Sequence, residues 1–184
     1  MSGNRRNPQP LDGARLEELG LAYVARFATT QARLEAYLVR KLRERGWAGE
    51  GAPDPAALAR RMVDKGFVDD AVYSRIKAGS LLRRGYGARR VGEALRAAGV
   101  AEDVRGEVRP EEGEQRRAAL TLARRRRFGP FASERPDRPG YEKQVAAMLR
   151  AGHTLDIVRQ ILDASDPEAA EQWAESADGD AACD

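Results

Sequence analysis

The sequence predicts an all-α protein, built as an elongated array of three tandem three-helix repeats. Apolar residues recur at steps of three or four through most of the chain, which is the spacing of helices that each bury one stripe. No stretch alternates apolar and polar residues for more than a few positions, so strand signals are nearly absent. Several predicted helices are followed by glycine in the same pattern, which indicates a repeated unit.

The individual helices follow from these stripes in chain order. The first two stripes are the clearest, and they comprise Leu16, Leu19, Tyr23 and Phe27, then Leu34, Leu38 and Leu42. We predict helices over residues 14–27, 30–45, 55–65, 70–84, 88–98, 102–108, 114–127, 139–151 and 154–163.

The glycine pattern predicts how four of these helices end. An apolar residue is followed four positions later by glycine and then by one more side chain. The four sets are Leu42, Gly46 and Trp47; Met62, Gly66 and Phe67; Leu95, Gly99 and Val100; and Met148, Gly152 and His153. This is the signature of a Schellman cap, in which glycine is left-handed and the next side chain packs back on the helix.

The residues after the glycines also recur, because a pair of β-branched residues follows Gly99 and Gly152 at the same offsets. We therefore predict repeats at residues 14–66, 67–109 and 110–164, with an insertion from Ala48 to Pro55 in the first. Residues 1–13 are expected to form a disordered N-terminus, and residues 165–184 an acidic, disordered tail. The alternative is one irregular helical bundle.

The charge of the chain is strongly asymmetric. The formal net charge is +3, but eight acidic residues and no cation follow Arg159, so the chain before Asp163 carries +11. A body this basic favours an anionic partner, which is nucleic acid, a nucleoprotein complex or an acidic protein surface. The tail either folds over the basic surface and competes with the partner or, more simply, solvates the end of the chain.

The sequence indicates no catalytic, cofactor-binding or metal-binding residues, and we expect no enzyme activity and no cofactor. His153 is the only histidine and follows a capping glycine, where a structural role fits better than general base catalysis. Cys183 is the only cysteine, and an unpaired cysteine favours a reducing setting. The start of the chain lacks the apolar stretch of a secretory signal, and no segment is apolar enough to span a membrane. We therefore expect a cytoplasmic protein.

Two acidic residues after Val68 have a structural interpretation. Asp69 is placed to cap the helix that begins at residue 70, and Asp70 adds favourable charge at its N-terminus. Val68 and Tyr73 have the spacing of a hydrophobic staple.

The same helix leads into a cationic turn, Arg83-Arg84-Gly85-Tyr86-Gly87-Ala88-Arg89-Arg90. We expect Tyr86 to pack inward and the arginines to point outward. No Walker or dinucleotide-binding glycine pattern is present, so the turn is either a solvated basic corner or a docking surface. A second cluster, Arg124 to Arg127, spans more than one helical turn, so its members cannot share one face.

The string GFVDDAVYSRIKAGSLLRRGYGARRVGEALRAAGV resembles the central signature of the RecX family, regulators of the RecA recombinase. In that family a GxxDDxxYA stretch leads to a basic RGxG turn and an LxxxG helix end. This chain differs in having Ser74 in place of the usual Ala and Ala88 in place of a common Pro. The resemblance implies three tandem three-helix repeats that bind the RecA filament on single-stranded DNA, and we expect the protein to be a monomer. It also implies inhibition of ATP hydrolysis, strand exchange and co-protease activity.

From the charge pattern and the resemblance together we predict the residues that contact RecA or DNA. They are Lys77, Arg83, Arg84, Tyr86, Arg89, Arg90, Arg96, Arg124, Arg125, Arg126 and Arg127. Structural roles are predicted for Gly46, Gly66, Asp69, Asp70, Tyr73, Gly85, Gly87, Gly99 and Gly152. The alternatives are a helical nucleic-acid-binding protein that acts independently of RecA and a helical-repeat scaffold, which would leave the basic body unexplained.

Overall fold

The computed structural model describes residues 9–177, which form ten α-helices and contain one isolated β-bridge. The helices are α1 Gly13–Arg26, α2 Gln31–Arg45, α3 Pro55–Asp64, α4 Asp70–Arg83, α5 Ala88–Ala97, α6 Glu102–Glu107, α7 Glu112–Arg126, α8 Arg138–Arg150, α9 Leu155–Leu162 and α10 Pro167–Ser176. The all-α prediction is confirmed. Each of the nine predicted helices lies within two residues of its expected bounds, and α10 is an addition.

Within the described residues, the first compact unit comprises residues 9–73 together with Ala98–Val100. Helices α1, α2 and α3 pack around a core formed by Leu11, Leu16, Leu34, Leu38, Leu58, Ala59, Met62 and Val68. The predicted stripes thus supply much of the core, with one exception. Phe27 is 54% exposed, because it follows the last residue of α1 in an extended conformation. Its ring contacts that of Tyr23, with the centroids 5.3 Å apart.

The N-terminal segment departs from the expected disorder of residues 1–13. Leu11 is fully buried, its amide donates to the carbonyl of Gly46 at 3.0 Å, and its own carbonyl accepts from Ala48 at 2.8 Å. Asp12 then caps α1 by accepting from the amide of Arg15 at 2.9 Å. A buried leucine and a cap hold residues 9–13 in place, so the prediction was wrong for this stretch. Residues 1–8 lie outside the described residues.

The glycine pattern describes two helix ends well. The amide of Phe67 donates to Met62 at 2.9 Å, and that of His153 donates to Met148 at 3.3 Å. The intervening glycines have φ of +75° and +98°, so both ends have the hydrogen bond and the left-handed residue of a Schellman cap. Phe67 nevertheless remains 51% exposed, contrary to the expectation that it packs back on its helix.

The end of α2 is not a Schellman cap. Gly46 has φ of +79° but ψ of 172°, which sends the chain into an extended path. Its carbonyl accepts from Leu11, and Trp47 forms the isolated parallel bridge with that residue. A partner distant in sequence therefore sets the exit direction of this helix.

The start of α4 joins two helix termini within the first unit. Asp69 accepts from the amide of Val72 at 2.8 Å, as an N-cap does. Asp70 accepts instead from the amide of Gln31 at 2.9 Å, at the N-terminus of α2. The hydroxyl of buried Tyr73 accepts from Arg33 at 2.7 Å. Each of the three side chains thus has a structural partner within this unit.

The second compact unit comprises Ser74–Ala97 and residues 101–177. Helix α7 packs against α9 and α10, α8 packs against α9, and α5 packs against α6. The core consists of Ala119, Leu122, Ala123, Met148, Val158, Ile161, Leu162 and Ala170. The division into three repeats, with its boundaries at residues 66/67 and 109/110, stays a prediction.

Helix α10 lies in the segment expected to be a disordered tail, and that expectation was wrong for residues 167–176. Asp166 caps the helix by accepting from the amide of Ala169 at 2.8 Å, and proline at the first helical position favours this start. Ala170 and Ala174 are fully buried. The prediction of disorder rested on the high density of acidic residues in this segment, which conceals the local helix start. Residues 178–184, which include Cys183, lie outside the described residues.

Candidate interface for an anionic partner

The cationic turn begins where α4 ends in a third Schellman cap. The amide of Tyr86 donates to Leu81 at 3.1 Å, and that of Gly85 donates to Leu82 at 2.8 Å. Gly85 has φ of +83°, and a Cβ there would lie 3.0 Å from the backbone nitrogen of Leu122. Both the conformation and the close approach of α7 therefore require glycine.

The turn between α8 and α9 fixes the second half of the cationic turn. The amide of Gly87 donates to Ala151 at 2.9 Å, and the amide of Arg89 donates to Gly152 at 3.2 Å. A Cβ on Gly87 would lie only 2.4 Å from the carbonyl oxygen of Gly152. Two backbone segments are thus in direct contact, which holds the arginines on a rigid base.

His153 anchors the same junction from inside. Its side chain is buried, and Nε2 lies 3.0 Å from the carbonyl oxygen of Gly85. Burial lowers the pKa of His153, although the bond to Gly85 opposes this shift. The neutral ring therefore donates from Nε2, while Nδ1 has no hydrogen-bond partner among the described residues. This geometry gives His153 a structural role.

The arginines of the turn point outward, as predicted. Arg83, Arg84, Arg89 and Arg90 are all exposed. Tyr86 is half-buried, and the guanidinium of Arg84 lies 5.5 Å from the centre of its ring. Arg89 also donates to the carbonyl of Leu149 at 2.6 Å, which directs that side chain toward α8.

A groove of about 600 Å³ opens beside the turn, bounded by α5, α6 and the turn between α8 and α9. Its cationic lining consists of Arg89, Arg96, Arg105 and Arg109, and Glu102 is its one acidic lining residue. Glu102 lies 3.6 Å from Arg105. The groove is therefore strongly electropositive.

The other predicted contact residues lie away from this groove. Lys77 is half-buried on α4, and the four arginines from Arg124 to Arg127 are all exposed at the end of α7. Arg124 is paired with Glu171 of α10 and lies 5.7 Å from the ring centre of Phe131. It thus helps to attach α10, whereas the other three arginines project from the end of the helix.

Two residues of the groove, Arg105 and Arg109, were not among the predicted contacts. They are four positions apart, with Arg105 on α6 and Arg109 two residues beyond its last residue. That spacing was visible in the sequence. The spacing does not show that the two residues line a groove. Only the packed structure places them opposite Arg89 and Arg96.

Among residues 9–177 no three His, Cys, Asp or Glu side chains are arranged to hold a metal ion. In the same part of the chain, no helix has the length and apolar character needed to cross a membrane. The fold and the site together define an all-helical protein that presents a rigid cationic surface suited to an anionic partner.

Comparison with known proteins identifies the family. The chain is 31% identical over 169 residues to the regulatory protein RecX of Myxococcus xanthus (strain DK1622), a match that covers 87% of this chain and 90% of that protein. It is 28% identical over 144 residues to the regulatory protein RecX of Agrobacterium fabrum, covering 76% and 77%. No family model matches the chain. The chain belongs to the RecX family of regulatory proteins.

A solved structure agrees with the fold. The crystal structure of RecX from Lactobacillus salivarius matches with a TM-score of 0.63 over 88% of this chain and 96% of that one. The two sequences are 15% identical, so this likeness supports the all-α fold and carries no information about individual side chains.

Proposed function

We propose that this protein is a negative regulator of RecA that binds the RecA filament on single-stranded DNA. It inhibits the ATPase, strand exchange and co-protease activities of the filament. Membership of a family of regulatory proteins supports the regulatory role, and the exposed arginines of the cationic turn support an anionic partner. The protein acts as a cytoplasmic monomer, without a cofactor and without catalysis of its own.

Cationic side chains suit a polymeric nucleoprotein partner for two reasons. They accelerate encounter with an anionic surface at low salt, and they release counterions where they meet phosphates. If the three repeats form an elongated array, their contacts are spread along the filament rather than concentrated at one point. Association should then weaken steeply as salt rises.

The first experiment measures ATP hydrolysis by RecA on single-stranded DNA while this protein is added. We expect hydrolysis to fall at substoichiometric amounts, because one bound regulator affects several filament subunits. Hydrolysis that is unchanged at molar excess would reject the proposal.

A matched pair of variants tests the cationic turn. Arg83→Gln/Arg84→Gln removes two adjacent exposed arginines at the end of α4, and Arg60→Gln/Arg61→Gln removes a similar pair near the end of α3. We expect the first variant to require several-fold more protein for half inhibition and the second to behave as the unaltered protein. Equal effects would mean that only net charge matters.

Binding measurements separate this function from direct nucleic-acid binding independent of RecA. The same labelled protein is titrated with bare single-stranded DNA, with RecA alone and with the assembled filament. Strong preference for the filament supports the proposal, and equal affinity for bare DNA supports the alternative.

A further inference from the structure

The groove between α5, α6 and the turn from α8 to α9 has features that the proposed function does not use. Its floor is aliphatic, since Val91 and Leu95 are almost fully buried beneath it. Leu155, at the edge, is 39% exposed. The volume of about 600 Å³ falls within the roughly 300–1,000 Å³ of typical ligand sites.

The cations of the groove differ in how they are engaged. Arg89 is paired with Glu93 at 3.6 Å, and Arg105 with Glu102 at 3.6 Å. Arg96 and Arg109 have no carboxylate within 4 Å among residues 9–177. These two guanidinium groups are therefore available for bidentate bonds to incoming carboxylates.

The groove is also preorganised by hydrogen bonds within this chain. The amides of Gly87 and Arg89 bond to carbonyls of the turn between α8 and α9, and the side chain of Arg89 bonds to Leu149. These bonds hold α5 against the opposite wall. A partner that enters the groove therefore loses little free energy to rearrangement of this chain.

The lining favours a peptide over nucleic acid. Single-stranded nucleic acid binds chiefly through cations and through stacking of bases on aromatic side chains, yet no Phe, Tyr or Trp lines this groove. A floor of valine and leucine is complementary to aliphatic side chains instead. Cations around an aliphatic floor match a segment that carries carboxylates and apolar side chains together.

We propose that this groove binds an acidic segment of a protein partner, with aliphatic side chains on the floor and carboxylates on Arg96 and Arg109. The inference deepens the proposed function, on which it rests for the identity of the partner. It assigns the groove to the protein component of a nucleoprotein filament rather than to its DNA.

The test uses the full chain and a short fluorescein-labelled peptide of alternating glutamate and leucine. Fluorescence anisotropy compares it with a glutamate/serine peptide of the same length and with an oligothymidylate of the same charge. We expect the glutamate/leucine peptide to bind most tightly, because it alone satisfies both the cations and the aliphatic floor.

Variants locate the binding. Arg96→Gln/Arg109→Gln should weaken glutamate/leucine binding about ten-fold, since two charge-assisted contacts are lost. Leu155→Ser should weaken it several-fold through the loss of apolar contact. Arg60→Gln/Arg61→Gln removes the same charge from exposed positions of α3 that do not line the groove and should have little effect.

The inference is overturned if glutamate/leucine binding is insensitive to Arg96→Gln/Arg109→Gln, or if the glutamate/serine peptide binds equally well. Parallel RecA assays separate it from the proposed function. If the peptide binds through the groove but the protein does not inhibit ATP hydrolysis, the proposed function is rejected and the groove assignment stands. If the protein inhibits ATP hydrolysis but peptide binding is unchanged by the groove variants, the groove assignment is rejected and the proposed function stands.

Discussion

At the scale of single residues, Gly87 is the point at which two backbone segments touch. We expect Gly87→Ala to lower the free energy of unfolding by about 1–3 kcal/mol, because the new Cβ must displace backbone atoms rather than a flexible side chain. Gly92→Ala is the matched control, since Gly92 lies within α5 with open space around it. Alanine there should raise the same free energy by about 0.5–1 kcal/mol.

Urea unfolding followed by circular dichroism measures both variants. If Gly87→Ala and Gly92→Ala shift the midpoint in the same direction, the turn between α8 and α9 does not contact Gly87 closely. The conclusion that this contact holds the cationic turn rigidly would then be wrong.

His153 makes stability depend on pH. Its pKa in the folded protein lies below its ordinary value of 6.5, chiefly because it is buried. The unfolded chain therefore binds a proton more readily as pH falls below about 6.5, and stability falls with it. Protonation in the folded state would also place a buried N–H at Nδ1, where no acceptor lies among the described residues.

His153→Gln tests this dependence, because glutamine does not titrate and its amide can donate to the carbonyl of Gly85. We expect the unaltered protein to lose more stability than the variant between neutral pH and about 5.5. Denaturant midpoints at each pH measure the difference. Parallel pH profiles for the two proteins would show that His153 does not titrate in this range.

At the scale of helices, the sequence predicted helix ends correctly where the residues that determine the end are close together in sequence. The Schellman caps at Gly66 and Gly152 depend on residues within one turn, so glycine and its spacing were sufficient. The end of α2 was mispredicted because Leu11, distant in sequence, determines the path of Gly46. Arg127 adopts φ of +55° at the end of α7, a left-handed residue that a rule based on glycine does not detect.

For helix α10 the prediction of a disordered tail was wrong although the sequence contains a local helix-start signal. Asp166 followed by Pro167 is a helix start, and Ala170 and Ala174 are spaced to share a buried face. A high density of acids normally indicates a solvated segment. Here Glu168 and Glu175 are exposed, Asp166 caps the helix, and Glu171 pairs with Arg124 of α7, so composition gave the wrong answer.

The attachment of α10 depends on Trp173. The guanidinium of Arg116 lies 4.5 Å from its ring centre, and the same side chain donates to the carbonyl of Trp173 at 3.1 Å. We expect Trp173→Ala to lower the free energy of unfolding by roughly 2–4 kcal/mol, through lost burial and lost cation–π contact. Gln172→Ala, on the exposed side of the same helix, should change it little. Thermal or urea unfolding of the two variants distinguishes an attached α10 from a loosely held one.

At the scale of the whole molecule, the candidate interface was only partly predictable. Charge counting indicated an anionic partner and named Arg89 and Arg96, which the structure places in one groove. The same counting included Arg124, which pairs with Glu171 within the fold. Net charge identifies the sign of a partner, whereas tertiary packing decides which cations are available to it.

The acidic end of the chain provides a final prediction about the whole molecule. The sequence predicted an acidic tail over residues 165–184, but a cut that removes this whole segment also removes α10 and its buried alanines. Ending the chain after Ala177 spares the helix and raises the formal net charge from +3 to +6, because three aspartates and no cation are removed. If these aspartates compete with an anionic partner, the shortened protein should bind the RecA filament several-fold more tightly at low salt, and this gain should vanish at high salt.

A full-length variant with Asp178, Asp180 and Asp184 changed to asparagine separates charge from length. Competition by charge predicts that this variant binds as tightly as the shortened protein, whereas a steric effect predicts that only the shortened protein gains affinity. If both variants bind with the same affinity as the unaltered chain at every salt concentration, these aspartates only solvate the end of the chain. The basic surface would then be accessible to its partner at all times.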